Sequence, residues 1–206
     1  MNPNPYIVLG SGNRHKGIEM TDLLASTGIV MKTLADFPKV LEIQEDGSTF
    51  MENARKKAVG YAQQLNEWII AEDSGLSVPI LNGEPGIYSS RYSDPGATDE
   101  RNNLLLIEKL QNFPIEKRTA FYSCAMVLVD PSGNICFETE GRCFGRILLK
   151  PSGTNGFGYD PLFEIVEYHK TFGEIDPLIK RSISHRARAT RQMIPILFHL
   201  IAHNKL

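Results

Sequence analysis

The sequence predicts an α/β fold with a mixed central sheet and flanking helices. Its first third alternates strand-like and helix-like patterns, the order that builds parallel strands joined by crossover helices. A later segment reads as two strands around a tight turn, which adds antiparallel pairing and makes the sheet mixed. No internal repeat, low-complexity tract or long linker interrupts the 206 residues. One domain over 1–206 is therefore expected, as a compact unit or as two lobes with an active-site cleft between them.

Residues 6–10, YIVLG, read as the first strand. A helix follows from about Asn13 to Thr27, with Ile18, Met20, Leu23 and Leu24 on its apolar face and Gly28 as a stop signal. Residues 29–34 form a second strand, and the acidic, turn-rich LEIQEDGST is an exposed loop. Thr49 followed by Glu52 makes a capping-box start for the helix in TFMENARKKAVGYAQQL. EWIIAEDSG is a short apolar strand expected to end in its two acids. Beyond the NGEPG turn, TDERNNLLLIEKLQNF is a helix with acids in its first turn, where the helix dipole favours them. Thr119–Asp130 and Ile135–Glu140 flank PSGN as a hairpin, and a further strand spans about Arg142 to Lys150. A glycine-rich loop then leads to a helix from about Ser184 to Ala202, with Pro195 inside it as a kink.

Composition excludes more than it assigns. A formal net charge of −2 argues against a general nucleic-acid coat. No apolar run approaches a membrane span, and MNPNPY lacks a signal-peptide pattern, so a cytoplasmic protein with neither membrane nor nucleic acid as partner is expected. The odd set Cys124, Cys136 and Cys143 lacks the paired short spacings of a zinc site and reads as reduced thiols.

Four loops carry candidate chemistry. In Ser11-Gly12-Asn13 with Lys16, a strand, a turn and a helix N-terminus present backbone N–H groups to an anion, and Lys16 adds a full charge. The stretch matches neither the Walker nor the dinucleotide glycine fingerprint, and taken alone it also reads as a plain strand-to-helix turn. In AEDSG, Glu72 and Asp73 point to opposite faces of a strand and so do different jobs. With Glu45 they suit Mg²⁺, a hard ion that takes oxygen ligands, and Mn²⁺ is a substitute; a pair of solvated acids is the alternative. In GTNGFGYDP, glycines flank Phe157 and free its ring to stack on a nucleobase, with Asp160 close enough for a polar contact. Alternatively, Phe157 and Tyr159 plug the core. In IKRSISHRARATR, Lys180, Arg181, His185 and Arg186 lie at a cationic helix start, while Arg188 and Arg191 fit a solvent face. Together the four loops describe one nucleoside triphosphate with Mg²⁺.

With those residues in view, the sequence resembles the inosine triphosphatase family, the Ham1-like nucleoside triphosphate pyrophosphatases. The matching pieces are SGNRHK, GSTFMENA, AEDSGLSV, GEPGIYSSRY, GFGYDP and ISHR, spread in the family's order from residue 11 to residue 186. The resemblance implies an elongated fold of two lobes with the active site in the cleft, as a homodimer. It also implies Mg²⁺-dependent hydrolysis of ITP, dITP and XTP to the monophosphate and pyrophosphate, which clears deaminated purines from the nucleotide pool. Ser11, Gly12, Asn13 and Lys16, with Arg14 and His15 in the same stretch, would hold the triphosphate. Glu45 and Asp73 would serve the metal, and Asp73 would accept the proton of the attacking water. Ser74 would help bind substrate, and Phe157, Gly158, Tyr159 and Asp160 would line the base pocket. Lys180 would meet phosphate, while His185 and Arg186 would contact the nucleotide near the base. Glu72 stands where many relatives carry Asp, which leaves open which of Glu45, Glu72 and Asp73 touches the metal. NGEPG likewise departs from the commoner Gly-Gly-x-Pro-Gly.

Overall fold

The alternating patterns are realised in a computed structural model that describes residues 5–206, so the first four residues of MNPNPY lie outside the description. Seven strands form a mixed sheet in the order β2-β1-β3-β4-β5-β6-β7. β1 (Tyr6–Leu9) runs parallel to β2 (Val30–Thr33) and to β3 (Ile69–Ser77). β4 (Thr119–Val129) and β5 (Ile135–Ile147) follow. β6 (Phe163–Ile165) is antiparallel to β5, and β7 (Lys170–Thr171) is antiparallel to β6. The helices are α1 (Arg14–Leu24), α2 (Phe50–Leu65), α3 (Asp99–Leu110), α4 (Pro177–Ile183) and α5 (His185–Ala202).

The chain divides into two compact units. The first takes the residues up to Asp73 together with Cys124–Gly141 and Arg186–Leu206; the second takes Ser74–Ser123 and Arg142–His185.

In the first unit β1 and the start of β3 are covered on both faces, which is why they read as unbroken apolar runs. Ile7 and Leu9 of β1 join a cluster with Met20 and Leu24 of α1 and Ala189 and Met193 of α5. Val8, between them, joins a different cluster with Ala54, Ala58 and Tyr61 of α2. β3 repeats the alternation, Ile70 entering the α1/α5 cluster and Ile69 and Ala71 the α2 cluster. The next two residues must therefore part company: Glu72 faces α1 and α5, and Asp73 faces α2.

In the second unit an aromatic-rich core gathers Leu76, Leu106, Leu110, Tyr122, Tyr159, Phe163 and Phe172. The Tyr122 and Phe163 ring centroids lie 4.7 Å apart, and those of Phe163 and Phe172 lie 5.3 Å apart. Such tilted pairs add to the burial of large rings.

Several elements differ from expectation. β3 does not end at its acids but continues to Ser77, so Glu72 and Asp73 are mid-strand residues. β5 is one strand where two were expected around Gly141; a lone glycine between two alternating runs lacks the two central residues of a hairpin turn. PSGN does turn, closed by Gly133 N–H donating to the Asp130 carbonyl at 2.9 Å. α4 was not anticipated, although Asp176 caps it and Pro177 opens it. Pro195 lies inside α5, which the structure assigns as one helix. Among the described residues no helix is long and apolar enough to cross a membrane, and the three cysteines form no disulfide.

Candidate active site

The first unit carries the anion loop. After β1, Gly10 is pressed so closely that a Cβ there would sit 2.9 Å from the Tyr61 ring and 3.1 Å from Ala71. Asn13 caps α1 by accepting from the Lys16 N–H at 3.1 Å, and Ser11 Oγ accepts from the Asn13 N–H at 3.2 Å. The turn and the first turn of α1 thus present N–H groups and partial positive charge. Arg14 and His15 are exposed there, and Lys16 is half-buried. An open cavity of about 520 Å³ borders the loop, lined by Ser11, Gly12, Asn13, Arg14 and Thr33 among others. A second of about 510 Å³ reaches Gly12, Phe37, Lys39 and Tyr61. Both volumes are in the range of small-molecule sites.

The two acids of β3 serve separate systems. Asp73 accepts from Asn53 Nδ2 at 3.1 Å, and its other oxygen faces Lys57 Nζ at 3.3 Å. Lys57 also donates to Glu45 Oε1 at 3.0 Å, so two carboxylates converge on one ammonium. Burial pushes the Asp73 carboxyl above its ordinary value, against the opposing pull of Lys57 and Lys16. Burial also disfavours the Lys57 ammonium, but Asp73, Glu45 and Glu72 outweigh it and its pKa is raised. Glu72 is fully buried on the opposite face. One of its oxygens accepts from Arg186 Nε at 2.9 Å, and the other faces Lys16 Nζ at 3.4 Å.

The second unit carries the aromatic loop. Asp160, 2% exposed, accepts from Lys180 Nζ at 2.6 Å and from the Phe157 N–H at 2.9 Å. Its other oxygen accepts from Tyr122 OH at 3.4 Å. Gly156 is required here, because at φ +76° a Cβ would lie 1.9 Å from Asp160 Oδ2. Phe157 is half-buried, with Lys180 Nζ 5.1 Å from its ring centroid, a cation–π contact. Gly158 N–H donates to Asp99 at 2.7 Å. Tyr159 is a core residue whose OH donates to the Ser89 carbonyl at 2.8 Å. His185 is buried and stacked on Tyr122, centroids 4.7 Å apart and planes 10° apart.

The residues named from sequence therefore fall into three groups. Lys16, Glu72 and Arg186 meet in one buried network; Glu45 and Asp73 meet through Lys57; Phe157, Asp160, Lys180 and, by way of Tyr122, His185 form the third. Ser74 follows Asp73 on β3 and is partly exposed. Lys57, Asn53 and Tyr122 were missed. A usable signal exists for the first two: Asn53 and Lys57 are four apart and border Ala54 and Ala58, polar residues on a buried helix stripe.

Glu45 and Asp73 aim carboxylate oxygens at one cation, the Lys57 ammonium, and are the oxygen donors that could hold Mg²⁺. Among the described residues no three acid, histidine or cysteine side chains gather as a ready metal site. An ion that keeps several waters needs no more than these two carboxylates from the protein.

Comparison with known proteins gives one consistent result. Residues 7–196 match the Ham1 family. The dITP/XTP pyrophosphatase of Rhodopirellula baltica is 46% identical over 198 residues, covering 96% of this chain and 95% of its own. That of Listeria innocua is 44% identical over 187 residues, covering 91% and 92%. Among solved structures, a HAM1 protein from Coxiella burnetii is similar with a TM-score of 0.85 at 37% identity, covering 95% and 99%. The Staphylococcus aureus Ham1 protein is similar with a TM-score of 0.83 at 34% identity, covering 94% and 98%.

Proposed function

The chain belongs to the Ham1 family, and from that premise we propose that it is a nucleoside-triphosphate pyrophosphatase. Its substrates on this reading are deaminated purine nucleotides, ITP, dITP and XTP, cleaved to the monophosphate and pyrophosphate. The names of its relatives support the substrate class. The observation that carries the chemistry is Asp73, a buried carboxylate with a raised pKa, fixed between Asn53 and Lys57.

Attack of water at the α-phosphorus expels pyrophosphate, so negative charge builds on the phosphate oxygens. The Ser11–Asn13 loop, the N–H groups opening α1 and Lys16 are the groups that stabilise it. Asp73 orients the water and takes its proton, as a general base whose pKa is lifted toward working pH does. Mg²⁺, held by Glu45 and Asp73, would supply further neutralisation of phosphate charge, and Mn²⁺ suits the same oxygens. Phe157 stacks on the base while Lys180 bridges its ring and Asp160. A donor facing the 6-oxo group of hypoxanthine or xanthine rejects ATP, whose amino group would leave it unpaired. The reading extends to a cytoplasmic homodimer that acts on a small nucleotide, with neither nucleic acid nor membrane as partner.

The test is product identification. The purified protein is incubated with ITP and Mg²⁺, with ATP and GTP in parallel. IMP plus pyrophosphate from ITP, with little turnover of ATP or GTP, is the expected result. IDP plus orthophosphate would replace the proposed cleavage with one at the γ-phosphate.

A further inference from the structure

Arg186 is 1% exposed and stands among the largest fully buried side chains. A guanidinium stays charged in proteins, so burying one demands acceptors on several sides. Glu72 Oε1 takes Nε at 2.9 Å and Nη2 at 2.8 Å. Glu19 of α1 takes Nη1. Glu72 Oε2 then faces Lys16 Nζ at 3.4 Å and the buried Cys124 thiol at 3.6 Å. Lys16 and Glu19 are three residues apart on α1 and so lie on the same side of the helix.

The four charges, Lys16, Arg186, Glu19 and Glu72, sum to zero. One carboxylate would neutralise Arg186; two are present. Because Glu19 shares the guanidinium, Glu72 is not fully spent on Arg186 and keeps negative potential for Lys16. Lys16 has the longest contact of the set and its side chain retains 13% exposure, against 1% for Arg186 and none for Glu72.

We infer that Glu19 is a positioning residue for the anion loop: by sharing Arg186 it leaves Glu72 the charge to hold the Lys16 ammonium in place, and it restrains anion binding by the free protein. The inference rests on the reading above that Lys16 meets phosphate. Restraint of this kind favours turnover, because only interactions stronger in the transition state than in the ground state accelerate a reaction.

Glu19→Gln keeps the shape and an acceptor for Arg186 but removes one negative charge. Arg186 then draws more heavily on Glu72, and one negative charge is lost beside the loop. Binding of inorganic pyrophosphate is measured by calorimetry in magnesium-free buffer, and ITP kinetics are measured with Mg²⁺. We expect pyrophosphate Kd to fall about threefold to tenfold, the scale of one added charge in a partly screened site. The KM for ITP falls with it, and kcat falls because Lys16 is held less firmly. Glu19→Asp, which keeps the charge, restores pyrophosphate affinity to within about twofold of wild type on the same electrostatic argument. A merely structural role would lower kcat and melting temperature while leaving pyrophosphate Kd and KM unchanged; that pattern overturns the inference. Wild-type protein that fails to bind pyrophosphate overturns the anion-loop reading and the inference with it. Wild-type binding matched by equal affinity in Glu19→Gln overturns the inference alone.

Discussion

Lys57 with Asp73 in the first unit and Lys180 with Asp160 in the second are the same two residue types at similar depth. Lys57 and Asp73 are 4% and 6% exposed, Lys180 and Asp160 are 7% and 2% exposed. Their surroundings differ. Around Asp160 the acceptors are committed to construction: Lys180, the Phe157 N–H and Tyr122 OH all donate to it, and Gly156 gives up its side chain to let it in. Around Asp73 the lysine stands farther off, at 3.3 Å against 2.6 Å, and it divides its charge with Glu45, whose side chain is 35% exposed. A carboxylate filled by three donors builds a wall. One that is dried out by burial and shares its lysine with a neighbour keeps a raised pKa, the condition the proposed general base needs.

The comparison breaks first at Asp73. Asp73→Asn preserves the shape and an acceptor for Asn53 but cannot take a proton. We expect kcat for ITP to drop by about 10²–10⁴, with KM changed far less and no loss of melting temperature. Turnover near that of wild type would remove Asp73 from the mechanism.

Asp160→Asn is expected to show the reverse pattern. Removing the charge from a buried ion pair costs about 3 kcal/mol, which for a chain of this size lowers Tm by roughly 6–12 °C. The KM for ITP rises by about tenfold, the scale of one stacked base contact, while kcat changes less. A variant that loses kcat and keeps its melting temperature would erase the distinction between the two pairs.

The finest test concerns pH. The Lys57 cation favours the charged form of Asp73, opposing the burial that raises its pKa. Lys57→Met removes that support, so the Asp73 pKa rises further and the carboxylate forms only at higher pH. The acidic limb of the kcat/KM profile therefore moves upward relative to wild type. A limb that stays in place or moves down would show that Lys57 does not tune this carboxylate.

Much of this architecture was visible in advance because the cues were local. Two-sided burial wrote itself into YIVL and WIIA as continuous apolar runs, and Thr49 announced its helix as a cap. What stayed hidden depended on partners distant in the chain. Lys56 and Lys57 are adjacent and identical, yet Lys56 pairs with Asp46 at the surface while Lys57 points under the sheet. Only the helix phase, set by Ala54 and Ala58, separates them. Tyr122 was one more apolar letter in a strand until Asp160 and His185 met it. Arg186 was legible as a cation near a helix start, but its binding by Glu19, 167 residues away, was not. The end expected at the acids of β3 is absent for a simpler reason: both acids are buried with partners, so the strand runs on through them to Ser77.

The pleat of β3 makes Glu72 and Asp73 a matter of counting. Lengthen or shorten the strand by one residue between Ile69 and Glu72, and every side chain beyond the change trades faces. Glutamate would then meet Asn53 and Lys57, and aspartate would meet Arg186, each with an arm of the wrong length. Loops such as LEIQEDGST or NGEPG can drift in length over generations, whereas this short strand can change only letter by letter. The order of two acidic residues is thus held by geometry as a frame is held by its codons.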